Sequence, residues 1–445
     1  MLGIPFLMFL RTSIFFEKAN AFVIPFRSFE SIEQNGDILF LVWLIIFWFV
    51  FRARTEDHFA RYQRSNLNGR SFNVLDYAIA SLVAITLIGL GTVLNEHIIL
   101  DKAYDKFISL LSMFLGFFII KDIAWRTEAI VLKDFLFNIV LVNTLASALY
   151  FIHQGLHVNL YTSDITKEYL ITIVNGVIIT RTFWFMPVLW FFSIAFILGI
   201  KRKKNIFDFF LLAVNVLGVY ISYTRSFLMI AILLIILYFL LIGLKDRNFG
   251  KSVRSLVLAV IAAVALFFMA TSFLPASTNY FLSRFQELDE RPSSAEPNNL
   301  VFRFYQTGNV LNRMDTKNLL FGYGPITEIQ SPLIKIVEDA SADMGWAEVI
   351  FRWGFLGILL FALLYISSII KAFLLFMKTD GIVSQLSLLL FLTIISQVIE
   401  GFISFSIMSP NRLPLALWYF GILSGLISKN SYSQIIANKD YATKE

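Results

Sequence analysis

Residues 226–243 read SFLMIAILLIILYFLLIG, a run without a charge, closed by Arg225 on one side and Lys245 just beyond the other. As an α-helix this run is about 27 Å long at 1.5 Å per residue, close to the hydrocarbon thickness of a bilayer. Its composition offers no polar face to water, so it reads as a membrane span rather than an amphipathic helix. Similar runs recur in both directions along the chain. Spans are expected at about 38–52, 74–94, 105–120, 129–151, 183–200 and 206–223, and again at 254–274, 346–376, 382–404 and 411–428. The segment 4–26 carries Arg11, Glu17 and Lys18; it is either a first span or an interfacial helix, and it lacks the cleavage site of a signal peptide.

Composition agrees with this reading. Of 445 residues, 58% are hydrophobic and 15% charged, with 48 Phe; mean hydropathy is +0.73. Soluble chains are about a quarter charged, and a single water-soluble core cannot hide this much apolar surface. The expected fold is an all-α integral membrane protein with about twelve spans. With no cysteine in the chain, disulfides, thiol catalysis and thiolate metal sites are all excluded.

Charge orients the chain. Arg52, Arg54, Arg61, Arg64 and Arg70 share one connection, Lys121 and Arg126 another, and Lys201, Arg202, Lys203 and Lys204 a third. Lys245, Arg247, Lys251 and Arg254 form a fourth, while Lys371, Lys378 and the tail residues Lys429, Lys439 and Lys444 complete the set. They occupy alternate connections, which the positive-inside rule makes cytoplasmic. The net charge of +6 follows from topology, and no nucleic-acid partner is needed to explain it. An inside C-terminus and an even count put the N-terminus inside as well, which favours twelve spans. The chain then divides into N-terminal helices over 1–274, an outer loop over 275–345, and C-terminal helices with a cytoplasmic tail over 346–445. A loop of that length is commonly functional or disordered.

Arginines on the outer face run against the charge rule and need a reason. Arg181, Arg225 and Arg412 stand at three helix mouths; Arg284, Arg291, Arg303 and Arg313 lie in the long loop. A guanidinium fork suits phosphate oxygens, and at Arg225 the N-terminus of the following helix also favours an anion. Snorkelling toward lipid headgroups is the plainer explanation. Residues 299–314 fit an amphipathic helix, with Leu300, Phe304, Thr307, Leu311 and Met314 on one face. Arg303 and Arg313 would then lie about 15 Å apart along the axis, too far to hold one phosphate together. Gly322 and Gly324, in Leu320-Phe321-Gly322-Tyr323-Gly324-Pro325, form a turn that lets backbone approach something closely. Asp343 stands just before the span at 346, either as a helix cap or as a general base. Glu400, near the outer end of its own span, carries the same ambiguity. His153 and His157 have zinc-compatible spacing but no evident third ligand, so no metal is expected.

Three ordered motifs resemble the O-antigen ligase and polymerase superfamily of membrane glycosyltransferases, over about 175–430. They are Ser222-Tyr223-Thr224-Arg225-Ser226 before an apolar run; Arg303 with Leu320–Gly324, in which Arg313 and Gly324 also keep the Arg-x10-Gly spacing of polymerases; and Asp343 followed by Gly354-Phe355-Leu356-Gly357. Ligases of the family usually carry a His-Asn pair where this chain has Asp343-Met344, a departure that leans toward polymerase. A second Arg-x10-Gly in the earlier outer loop is absent. The resemblance implies a GT-C-like helical fold and metal-independent, inverting glycosyl transfer on the outer face of the cytoplasmic membrane. The donor and acceptor would be glycans on undecaprenyl pyrophosphate, and no cofactor is implied. Asp343 and Arg303 would be catalytic; Arg225, Arg181, Arg313 and Arg412 would hold pyrophosphate. A chain-length regulator and a flippase are possible companions. The rival readings are a ligase that moves finished glycan to another acceptor, and a lipid-linked glycan flippase. A transporter would more often show repeated halves and helices broken at the midplane, and neither is legible in the sequence.

Overall fold

The structure is a computed structural model, and it describes residues 73–95, 114–152, 170–174, 177–181, 187–200, 205–222, 224–258, 316–324, 345–403 and 417–430, with isolated positions between them. The expected span at 4–26 lies outside the described residues. Among those described, four helices are long and apolar enough to cross a membrane: Ala129–Tyr150, Arg225–Asp246, Val349–Lys378 and Gly381–Gly401. Three shorter apolar helices cover Val74–Gly89, Leu189–Ile200 and Ile206–Ile221.

The chain forms two compact units. One comprises Met1–Glu33 with Lys133–Glu296, and the other Gln34–Leu132 with Pro297–Glu445.

The second unit contains α1 (Val74–Asn95), α2 (114–126), α8 (Thr316–Phe321), α9 (Gly345–Lys378), α10 (Gly381–Ile403) and α11 (417–430). At the ends where basic residues gather, these helices are tied by buried polar groups. Asn73 caps α1, its Oδ1 accepting from the Leu75 N–H at 3.0 Å. Asp76 reciprocates, accepting from the Asn73 N–H at 2.7 Å. The same carboxylate, wholly buried, pairs with Lys121 of α2 and accepts from Ser424 Oγ of α11 at 3.0 Å. Gly421 and Gly425 let α11 lie against α2: a Cβ at Gly421 would fall 2.8 Å from the Phe117 carbonyl, and one at Gly425 2.7 Å from Ala124 Cβ. Without a hydrophobic driving force between helices in lipid, close packing of this kind is what holds them together. Along α9 the exposed residues Phe355, Leu359, Leu363, Ile366, Ile370 and Leu374 mark a lipid-facing stripe, while Phe361, Leu364, Tyr365, Ser368 and Ala372 are buried.

The first unit holds most of α3 (Ala129–Tyr150), then β1 (Leu170–Val174), β2 (Val177–Arg181), α4 (Pro187–Ile200), α5 (Ile206–Ile221), α6 (Arg225–Asp246) and α7 (249–258). Asn205 and Asp208 form a reciprocal capping box that starts α5 straight after the lysine run, with bonds of 2.8 and 3.0 Å. A polar cluster then joins α3, α4 and α5 inside the apolar bundle. Asn143 Nδ2 donates to Ser193 Oγ at 2.9 Å and to Asn215 Oδ1 at 2.8 Å. Asn215 Nδ2 donates to Thr144 Oγ1 at 2.8 Å, and Trp190 Nε1 to Ser147 Oγ at 2.8 Å. Gly218 leaves room for that indole, since a Cβ there would sit 2.7 Å from Trp190 Nε1.

The described chain is almost wholly helical, as expected; in the connection before α4, β1 and β2 add an antiparallel hairpin, with Val174 opposite Val177 and Leu170 opposite Arg181. Asn175-Gly176 is the whole connection, a pair suited to the positive φ angles of a two-residue hairpin turn. Apolar β-branched residues flank it, so the signal was present inside a stretch read as outer loop.

Candidate functional site

The candidate residues fall in both units. In the first, α5 ends at Ser222, whose N–H donates to the Gly218 carbonyl at 3.1 Å and whose Oγ donates to Val219 O at 2.6 Å. Thr224 is extended (φ −105, ψ 105) and precedes α6 without a side-chain capping bond. Its carbonyl accepts from the N–H groups of Phe227 and Leu228 at 3.1 and 3.3 Å. Arg225 is therefore the first residue of α6, half-buried at its mouth. Tyr220, one turn earlier, shares a 2.8 Å hydrogen bond with Thr278, which anchors the beginning of the long loop to the C-terminal end of α5. Arg181 is the last residue of β2.

In the second unit, the glycine turn and the start of α9 interlock. Gly354 sits within α9 at φ 63, ψ −164, which breaks the helix. In an unbroken helix the carbonyls of Phe351 and Arg352 would accept from Phe355 and Leu356. Here they accept from the loop instead: Tyr323 N–H donates to Phe351 O at 2.8 Å, and Gly324 N–H to Arg352 O at 3.0 Å. The approach requires glycine on both sides. A Cβ on Gly322 would lie 2.3 Å from the Arg352 carbonyl, and one on Gly354 2.4 Å from the Leu320 carbonyl. Gly324 is as tight against α1, where a Cβ would meet the Gly89 backbone at 2.8 Å. Gly322, Gly324 and Gly354 all have positive φ, the region glycine enters at little cost.

Side chains complete the wedge. Tyr323 packs on Phe351 with ring centroids 5.2 Å apart. Trp353 Nε1 donates to Thr86 Oγ1 of α1 at 2.9 Å. Gly357 is opposite Trp353 Cβ, where a side chain would collide. Both glycines of the Gly354-Phe355-Leu356-Gly357 motif thus have a packing reason.

Of the loop helix expected over 299–314, Gly308, Leu311 and Asn312 are helical, with Met314 buried and Asn312 exposed, in keeping with the expected faces. Arg303, Arg313, Asp343 and Arg412 lie outside the described residues, as do His153 and His157. No group of potential metal ligands occurs among the described residues. Sequence reading passed over Arg352, which was absorbed into an apolar span; it is nine-tenths buried and sits at the break, bonded through its backbone to Gly324. An arginine two residues before a glycine at the start of a span was the available signal.

Residues 209–362 match the family model described as O-Antigen ligase. The matched segment runs from the first turn of α5, through Arg225 and the whole of 275–345, to just beyond the break at Gly354. The match covers about a third of the chain and supports a likeness to the O-antigen ligase and polymerase superfamily, in keeping with membrane-spanning helices and a part in polysaccharide biosynthesis. No curated protein matches the chain.

Proposed function

Taking that family as the premise, we propose that the protein polymerises undecaprenyl-pyrophosphate-linked repeat units into a surface polysaccharide, on the outer face of the cytoplasmic membrane. The observation that carries this reading is the family match over the segment in which Asp343 replaces the ligase His and Gly354 locks against the loop.

The chemistry is a single displacement. The acceptor sugar hydroxyl attacks the anomeric carbon of the donor from the face opposite the pyrophosphate, inverting that centre. The carbon–oxygen bond to pyrophosphate breaks, its electrons leaving with the undecaprenyl pyrophosphate anion, and the hydroxyl proton passes to the Asp343 carboxylate. Arg303 stabilises charge as it develops on the leaving group, an effect of preorganised electrostatics. Arg225, Arg181, Arg313 and Arg412 are the further pyrophosphate contacts. The donor's activated bond supplies the free energy, so the reaction calls for no nucleotide.

Purified protein supplied with a lipid-linked repeat unit is expected to make a ladder of polymer lengths. Arg303→Ala and Asp343→Ala are each expected to lower the rate by about two orders of magnitude or more, the range typical of a lost transition-state donor or base. Wild-type ladders from both variants would remove the two residues from the site. Transfer by wild type to a different acceptor, with no ladder, would establish the ligase that the family description names.

A further inference from the structure

Buried polar groups within a membrane bundle must find partners, because lipid supplies none. Most of those on α10 do so within their own helix or across to α9. Ser387 Oγ donates to Val383 O at 2.8 Å, Thr393 Oγ1 to Leu389 O at 2.9 Å, and Ser396 Oγ to Thr393 O at 2.7 Å. Ser384 Oγ reaches Phe376 O of α9 at 3.0 Å. Two residues do not follow this pattern. Ser368 Oγ on α9, and both amide atoms of Gln397 on α10, are buried without a hydrogen-bond partner among the described residues.

The two lie together along the seam. Helices α9 and α10 are antiparallel and joined at Thr379-Asp380. The Ser384–Phe376 bond and the Phe373–Phe391 ring pair, with centroids 6.0 Å apart, set their register. Carried outward from that ring pair, the register brings Ser368 level with Ser396 and Gln397. One turn further out, Tyr365 comes within electrostatic reach of the buried Glu400. Glu400 is three residues from Ile403, the outer end of α10.

We propose that Ser368, Gln397 and Glu400 form a hydroxyl-binding site inside the helical bundle. An unpartnered buried amide is destabilising, and leucine at 397 would avoid that cost. Its donor and acceptor, beside a serine hydroxyl and a carboxyl, match a group that both donates and accepts. Water and a sugar hydroxyl fit this description. A phosphate does not, since it only accepts and would face the Glu400 carboxyl. The sugar as occupant rests on the glycosyl-transfer reading, whereas water does not.

The chain contains no cysteine, so single cysteines report cleanly. In full-length protein in membranes, Gln397→Cys and Ser368→Cys are exposed to the small water-soluble reagent methanethiosulfonate-ethylammonium. Ile366→Cys, at a position 58% exposed on the lipid side of α9, is the reference. A cysteine thiolate attacks the reagent's thiosulfonate sulfur and expels sulfinate; the thiolate forms only where water reaches, so both seam cysteines are expected to react at least about tenfold faster than the reference. Slowing by added lipid-linked repeat unit identifies the sugar as occupant; reaction unchanged by it identifies water. Failure of both seam cysteines to react faster than the reference overturns the site. Gln397→Met provides a measurement independent of cysteine folding: it is expected to leave the thermal midpoint level or lower, and a raised midpoint overturns the proposal by showing a dry seam. Labelling needs no turnover, so a protein that fails to polymerise still tests the site.

Discussion

Gly354 has a positive φ and a backbone neighbour 2.4 Å from where its Cβ would stand. Gly354→Ala therefore incurs both the strain of a left-handed conformation, about 1–3 kcal/mol, and a collision that neither segment can relieve by a side-chain rotation. The expected result is a thermal midpoint several degrees lower in detergent, together with loss of polymer ladders. Gly308→Ala is the control: nothing lies within 4 Å of its Cβ, and alanine is favoured over glycine in a helix by up to about 1 kcal/mol. It is expected to keep or raise the midpoint. Arg225 allows a finer distinction. Arg225→Lys keeps the charge but loses the planar fork, so a residue gripping pyrophosphate in two places is expected to fall substantially in activity in both Arg225→Lys and Arg225→Ala. Full activity in Arg225→Lys, measured by ladder formation, would point to simple headgroup attraction.

At the scale of helices, the buried Asp76–Lys121 pair joins α1 to α2, with Ser424 of α11 on the same carboxylate. Removing one partner strands the other in a place without water. Lys121→Met is expected to destabilise by about 3–5 kcal/mol, while the double change Asp76→Leu with Lys121→Met recovers much of that loss. Thermal midpoints of the single and double variants check it. Legibility also divides at this scale. The helix over 74–95, the basic run at 201–204 ahead of the helix that starts at 206, and the long run of 226–243 were all plain from hydropathy and charge, because lipid imposes length and composition directly on each span. The break at Gly354 was not plain. Its residues lie in an apolar run, and what meets the chain there is a turn some thirty residues upstream, bonded to it through backbone groups that carry no sequence signal. The β hairpin was missed for a different reason: alternating residues between helices carry a much weaker signal than a span. Arg352 was hidden by the averaging that finds spans at all.

For the whole molecule, orientation is the testable property. Alternating basic connections predict that Lys203→Cys, in the lysine run before α5, reacts with an impermeant thiol reagent only from the cytoplasmic side. Gly308→Cys, in the long loop, is expected to react only from outside. Reaction of both from the same side would overturn the three crossings expected between them, and reaction of each from the opposite side would invert the topology on which the proposed outer chemistry depends. The glycine lock has a further consequence at this scale. Chain leaving at Gly324 returns at Arg352, where the Gly324–Arg352 bond joins it again, so the intervening sequence is a closed circuit hung from a fixed gate. Lengthening such a circuit costs only about 0.6 kcal/mol per doubling. A change of length within 325–342, ahead of Asp343, is therefore expected to leave the glycine lock and the packing of the start of α9 in place.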